Sequence, residues 1–198
     1  MARPIGRAAP APDFIAVDVE TANADPGSIC QIGLASFAGG ALVDCAVWRV
    51  NPRAHFSPHN IAIHGLHAAD VRDAPDWPAL RPTIAARLAG RIAVSHTAFD
   101  VTALARACAA DDLAPIAARW LDSARVARRA FPQFARRGWG LAGLAEHLGI
   151  VFAHHDAGED ARAAGEVLLA AIAASGRGVE DWLLAAHRPL REFVDAAR

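Results

Sequence analysis

Asp18 and Glu20 close the short apolar run FIAVDVE. Such a run predicts a buried strand over Phe14–Glu20, in which residues two apart share a face. Ile15, Val17 and Val19 then line one face, and Phe14, Ala16, Asp18 and Glu20 the other. Two carboxylates side by side at the end of an apolar strand repel each other and lose hydration unless a cation neutralises them. A hard divalent ion such as Mg2+, which takes oxygen ligands, would do so. The pair could equally stand where the strand emerges into solvent, so on its own it leaves both readings open.

Two further places carry acids that could join this pair. Asp100 lies in SHTAFD, at the junction between a predicted strand over Ile92–His96 and a predicted helix over Phe99–Ala110. Carboxylates at such junctions can face the crevice at the end of a sheet. Taken alone, Asp100 is an ordinary first-turn acid favoured by the helix dipole. His155 and Asp160 are spaced H-x4-D at the start of a helix predicted over Asp156–Ala174. Asp160 sits one turn in and leans back toward the helix start, so it can converge with a histidine just before the helix. His154 is adjacent, and spacing does not decide which ring faces the site. Asp156 and Glu159 read as plain first-turn acids.

The elements that must position these groups form a mixed pattern. Ile29–Phe37 and Ala41–Val50 flank Gly39–Gly40 and predict a hairpin. Asn51–Ala74 reads as irregular. Helices are expected at Trp77–Leu88, Ser123–Ala130 and Leu141–Leu148, a strand at Ile116–Leu121, and short helices at Glu180–Ala186 and Leu190–Ala197. Strands first and then strands alternating with helices predict a mixed α/β sheet flanked by helices.

Composition narrows the function classes. The 198 residues are 54% hydrophobic and 21% charged, with Lys+Arg 20 against Asp+Glu 21 and a formal net charge of -1. This excludes disorder and gives enough chain for one domain with a full core. It also excludes a protein that grips nucleic acid by bulk positive charge. Every fixed cation is Arg, because the chain has no Lys. Cys30, Cys45 and Cys108 are odd in number and lack C-x-x-C spacing, which argues against a disulfide scaffold or thiolate zinc site. A reducing compartment, the cytoplasm, is expected. Apolar runs are too short to span a bilayer, so no membrane association is expected.

Four segments in order, FIAVDVETAN, HGL, SHTAFD and HHDAGEDARAAGEVLL, closely resemble the motifs of DEDDh 3'→5' exonucleases. The nearest group is the DNA polymerase III epsilon subunit-like (DnaQ-like) exonucleases. The resemblance covers about Phe14 to Ala174. It implies an α/β, RNase H-like fold with a mixed central β-sheet flanked by α-helices. The expected organisation is a flexible arm over 1–12, an exonuclease domain over 13–176, and a C-terminal helical extension over 177–198 packed on it. The related DEDDy group uses Tyr in the last motif, and this chain has none.

Carried over by position, the resemblance makes Asp18, Glu20, Asp100 and Asp160 the metal-binding acids and His155 the general base. Thr21 is then a contact to the terminal nucleotide, and His64, in IHGL, lies near the terminal sugar. The implied activity is metal-dependent 3'–5' exonuclease hydrolysis releasing nucleoside 5'-monophosphates, with DNA expected ahead of RNA. Two Mg2+ ions, for which Mn2+ would substitute, can stabilise both the attacking and leaving oxygens when about 3.5–4 Å apart. Asp18 would bridge them, Glu20 and Asp160 would serve the nucleophile side, and Asp100 would act through water. A general base such as His155 typically contributes about 10²–10⁴ in rate. Expected partners are single-stranded or frayed 3' ends, with a DNA polymerase partner in trans if the role is proofreading. The rival reading is a non-catalytic nucleic-acid-binding or polymerase-associated module, which the presence of all five motif residues weighs against. One departure stands out: the family often has His-Asn-Ala where this chain has His96-Thr97-Ala98.

Weaker signals remain. Arg128, Arg129, Arg136 and Arg137 surround Phe131, Phe134 and Trp139. They read either as a phosphate- and base-contacting surface or as a solvated helix and turn. Phe131 and Trp139 are expected in the core. His59 and Asn60 could line the site, whereas His55, His67 and His147 read as structural. Trp182, Leu183, Leu184, Leu190, Phe193 and Val194 form a stripe expected to cover the domain's own core rather than dock a partner.

Overall fold

The computed structural model describes residues 12–194. A five-stranded sheet runs in the order β3-β2-β1-β4-β5, from β1 (Phe14–Thr21), β2 (Ile29–Ala38), β3 (Ala41–Arg49), β4 (Ile92–Ser95) and β5 (Arg119–Asp122). The first three strands are antiparallel, and β4 and β5 add in parallel. Helices α2 (Trp77–Leu88) and α3 (Phe99–Ala110) cover the face carrying Ile15, Val17 and Val19. Helices α4 (Ser123–Ala130), α5 (Leu141–Leu148) and α6 (Ala157–Ser175) cover the face carrying Phe14 and Ala16. The expected alternation along β1 therefore holds, and Asp18 and Glu20 emerge on the α6 side.

Close approach of α6 to the sheet is written in glycines. A Cβ on Gly33 would stand 2.1 Å from the Ala157 carbonyl oxygen, and one on Gly165 would stand 2.1 Å from the Phe37 ring. Gly33 is the cross-strand partner of Asp18, so the bare backbone there is what lets the α6 N-terminus settle beside Asp18. Gln31, opposite Glu20, fixes the same end: its Oε1 accepts the Ala157 N–H at 3.1 Å.

Several boundaries differ from expectation, most by one residue; three of the differences bear on the site. The segment expected to be irregular contains α1 (Pro58–His64) and a 3-10 turn at Ala68–Val71. Helix α1 is capped by Ser57, starts on Pro58 and stops at Gly65 in the left-handed conformation. The strand expected at Ile116–Leu121 begins at Arg119, where pairing with Ile92 starts. The long helix runs Ala157–Ser175, because Asp156 is its N-cap and accepts the Gly158 and Glu159 amides.

At the C-terminal end, α7 (Val179–Ala185) and α8 (Arg191–Val194) follow. Trp182 is buried in the α6-side core with Leu183 and Phe193 against it, whereas Leu184 is 78% exposed. The expected arm at 1–12 lies outside the described residues except for residue 12, as does the end of the helix expected at Leu190–Ala197. Among the described residues, no helix is long and apolar enough to cross a membrane.

Candidate active site

The C-terminal ends of the parallel strands β1 and β4 and the N-terminus of α6 open on one cleft of about 380 Å³. Asp18, Glu20, Thr21, His64, His154, His155 and Asp160 all line it. One carboxylate oxygen from each of Asp18, Glu20 and Asp160 lies within 4.8 Å of the others. Asp100 lies buried behind Asp18, outside both the cleft lining and this carboxylate group. Past Ala16↔Val94, β1 has no further pairing with β4, and Asp100 Oδ1 accepts the Val19 N–H at 3.0 Å.

The electrostatics are those of crowded, dehydrated acids. Burial, then Asp100, Asp160 and Glu20, push Asp18 well above the usual carboxylate range. Burial and the neighbouring acids push Glu20 up to about 8. Burial raises Asp100 to about 7, against the opposing effect of the Val19 amide. No Arg lines the cleft among the described residues. An all-oxygen donor set lacking its own counter-charge fits a hard divalent cation.

Both histidines before α6 reach the site. His155 takes a left-handed backbone, φ 70, and its N–H donates to Asp160 Oδ2 at 2.8 Å. Its ring stands at the mouth, Nδ1 4.0 Å from Glu20 Oε1. His154 turns in as well, with Nδ1 2.7 Å from Asp160 Oδ1. Burial and the neighbouring His154 lower the pKa of His155.

On the opposite wall, the Leu66 N–H donates to His64 Nδ1 at 3.0 Å, so Nε2 carries the proton and donates to the Thr21 carbonyl at 3.1 Å. Asn60 binds the same Thr21 carbonyl and hydroxyl, at 2.9 and 3.2 Å. His59 stands exposed beside it and does not line the cleft.

Other residues here escaped the sequence. Gln31 acts across strands and carries no local signal. His96 lines the cleft and ties it to the 131–140 loop, with Nδ1 2.9 Å from Ser123 Oγ and Nε2 3.0 Å from the Trp139 carbonyl. Thr97 has φ 81, a left-handed conformation that Asn tolerates and a β-branched residue does not. This is where the family motif carries Asn.

The arginine cluster divides. Arg128 donates to the Ala135 carbonyl at 3.0 Å and lies over the Trp139 ring, and Arg129 donates to Arg188 and Arg125 carbonyls. These two are structural, whereas Arg136 and Arg137 stand exposed. Phe131 is in the core as expected; Trp139 is only partly buried.

The Exonuclease family model (RNase_T) matches residues 15–168. The chain belongs to this exonuclease family. The match contains β1 from Ile15 onward, α3 and the start of α6, the elements that carry the acids. A Mycobacterium tuberculosis (strain CDC 1551 / Oshkosh) protein named as a bifunctional exonuclease/endonuclease is 30% identical over 169 residues. That alignment takes 80% of this chain but spans only 26% of the relative's length. Among solved structures, exonuclease X in complex with 5' overhanging duplex DNA superposes with a TM-score of 0.73 at 22% identity, covering 87% of this chain and 99% of that one. The nuclease domain of 3'hExo, a DEDDh family member bound to rAMP, superposes with a TM-score of 0.67 at 16% identity, covering 83% and 94%. The RNase H-like exonuclease fold expected from the sequence is thus the fold of the molecule.

Proposed function

We propose that this exonuclease-family domain, over 13–176 with α7 and α8 packed on it, hydrolyses phosphodiester bonds at nucleic-acid 3' ends and releases nucleoside 5'-monophosphates. The reading rests on one observation: acids from β1 and α6 crowd one cleft, with Asp100 of α3 buried behind them and no Arg among the described residues that line it, beside a histidine at its mouth. Asp18, Glu20 and Asp160 would hold divalent ions, Mg2+ or in its place Mn2+, with Asp100 acting through water. When bound, a pair of such ions supplies Lewis-acid activation of water and neutralises charge on the phosphate oxygens.

The chain's own residues do the rest. His155 takes the proton of the attacking water; its partly exposed ring leaves it room to approach and withdraw. Its lowered pKa keeps it neutral, hence a competent acceptor, at neutral pH. Asp160 anchors the His155 backbone while serving the ions. His64 and Asn60 hold the Thr21 backbone, and Thr21 with His64 would meet the terminal nucleotide and its sugar. With no Arg in the cleft, an anionic substrate approaches productively only once the acids are neutralised.

DNA is proposed ahead of RNA as the substrate, as in the reading from the sequence; exonuclease X, one of the similar structures, is in complex with 5' overhanging duplex DNA. For a proofreading role the proposed partner is a DNA polymerase. One panel tests the whole reading: 5'-labelled single-stranded DNA, duplex DNA and RNA, each with Mg2+, Mn2+ or chelator. The expected result is metal-dependent, stepwise shortening from the 3' end, fastest on single-stranded or frayed DNA. Loss of label as short 5' fragments, or activity in chelator, would contradict it.

A further inference from the structure

The cleft contains a second ligand set, which shares Asp160 and His155 with the hydrolytic arrangement and adds His154. His154 and His155 are adjacent, with ring centroids 3.9 Å apart and planes 20° from parallel. One nitrogen of each ring and one Asp160 oxygen lie within 4.8 Å of one another. The imidazoles are 42% and 41% exposed while Asp160 is 4% exposed, so the rings can turn about their side-chain bonds over a fixed carboxylate. Three carboxylates suit hard ions; two imidazoles and one carboxylate suit a borderline ion such as Zn2+, with water in the fourth tetrahedral position. Bond lengths of about 2.0–2.2 Å put two tetrahedral ligands about 3.3 Å apart. The set therefore closes on an ion by unstacking the rings and drawing them inward.

We infer that His154, His155 and Asp160 form a transition-metal site that competes with the catalytic arrangement. A Zn2+ ion held there takes Asp160 from the carboxylate set and the His155 ring from the mouth of the cleft. The metal takes the place of the proton between His154 Nδ1 and Asp160, and the ring carries its one proton on Nε2 instead, so that it binds as the neutral imidazole. Binding stands on this geometry alone; the inhibition it produces rests on the hydrolysis reading above.

The test is calorimetric titration of the purified protein with Zn2+ in saturating Mg2+, together with the visible spectrum of the Co2+-loaded protein. His154→Ala is compared with His154→Gln, which keeps an N–H for Asp160 but has no imidazole. The expected result is one Zn2+ per wild-type chain, bound at least tenfold more weakly by both variants, with loss of the intense four-coordinate Co2+ absorption. In parallel, the Zn2+ concentration that halves hydrolysis of a 5'-labelled strand rises at least tenfold in both. Equal Zn2+ affinity in all three proteins overturns the site. His154-dependent binding with unchanged inhibition overturns the competition. His154-dependent binding in a protein that hydrolyses nothing upholds the site and overturns the hydrolysis reading instead.

Discussion

On the partly exposed side of α6, Glu159 and Glu166 flank Arg162, whose guanidinium reaches them at 2.7 and 2.8 Å. The Arg162 hydrogen bond holds Glu159 below its usual range. On the sheet side of the same helix, Asp160 meets Asp18 and Glu20, with Asp100 close behind, and burial and mutual repulsion push Asp18, Glu20 and Asp100 upward. Both faces carry acids, yet only one brings its own counter-charge. A neutralised acid is part of the scaffold, and a buried group of acids without a cation is a site prepared for something from outside the chain.

The largest way to break this contrast is to remove an acid from the sheet side. Asp160→Ala should reduce hydrolysis to the uncatalysed background while circular dichroism shows a folded domain. Retained wild-type initial rates would remove Asp160 from the site. His155→Ala comes next: a loss of about 10²–10⁴ in rate, with Mg2+ affinity by calorimetry little changed. A near-normal rate would move the base to another residue, His154 first.

Stability gives a third handle. In the metal-free protein Glu20 titrates at about 8 against an ordinary 4.5. Between these values the folded chain holds a proton that the unfolded chain has released. The stability is fully present below about pH 4.5 and is lost as pH rises through about 8. Glu20→Gln should flatten that decline and, at pH 8, stabilise the metal-free protein by about 2–4 kcal/mol in denaturant titration, since one pKa unit is about 1.4 kcal/mol. An unchanged pH slope would show that the acids are not mutually strained. On the other face, Arg162→Ala should cost roughly 1 kcal/mol of stability, a modest loss typical of partly exposed pairs. It should leave hydrolysis within about twofold, because Arg162 touches none of the cleft acids. The smallest effect is Thr97→Asn, which relieves the left-handed strain and should add roughly 0.5–1 kcal/mol; a lower Tm would show that the Thr97 contacts outweigh it.

Local pattern made much of the fold legible. Alternation along β1 sorted its two faces, the Gly39–Gly40 turn marked the hairpin, and α2, α3, α4 and α5 begin and end where their signals stand. The segment before α2 does not stand out as helical although Ser57, Pro58 and Gly65 are ordinary helix signals, because scattered His and Asn obscure a seven-residue helix. The acids were visible one by one but ambiguous; only their order and separations, through the family resemblance, brought them together. Gln31, Gly33 and Gly165 were not legible, because their roles depend on which residues lie across the sheet or beneath the helix. The left-handed backbone at Thr97 is likewise set by the turn between β4 and α3, where its N–H donates to Asp122 Oδ1 across the sheet edge, and carries no local signal.

The central claim is tested most directly by one side-by-side assay of two charge-removing changes on 5'-labelled single-stranded DNA in Mg2+. Asp18→Asn takes a carboxylate from the uncompensated side, and Glu159→Gln takes one from the compensated side one residue before Asp160. The account predicts that Asp18→Asn leaves the labelled strand at full length while Glu159→Gln yields the wild-type ladder of 3'-shortened products. Ladders of equal intensity from both variants would contradict it.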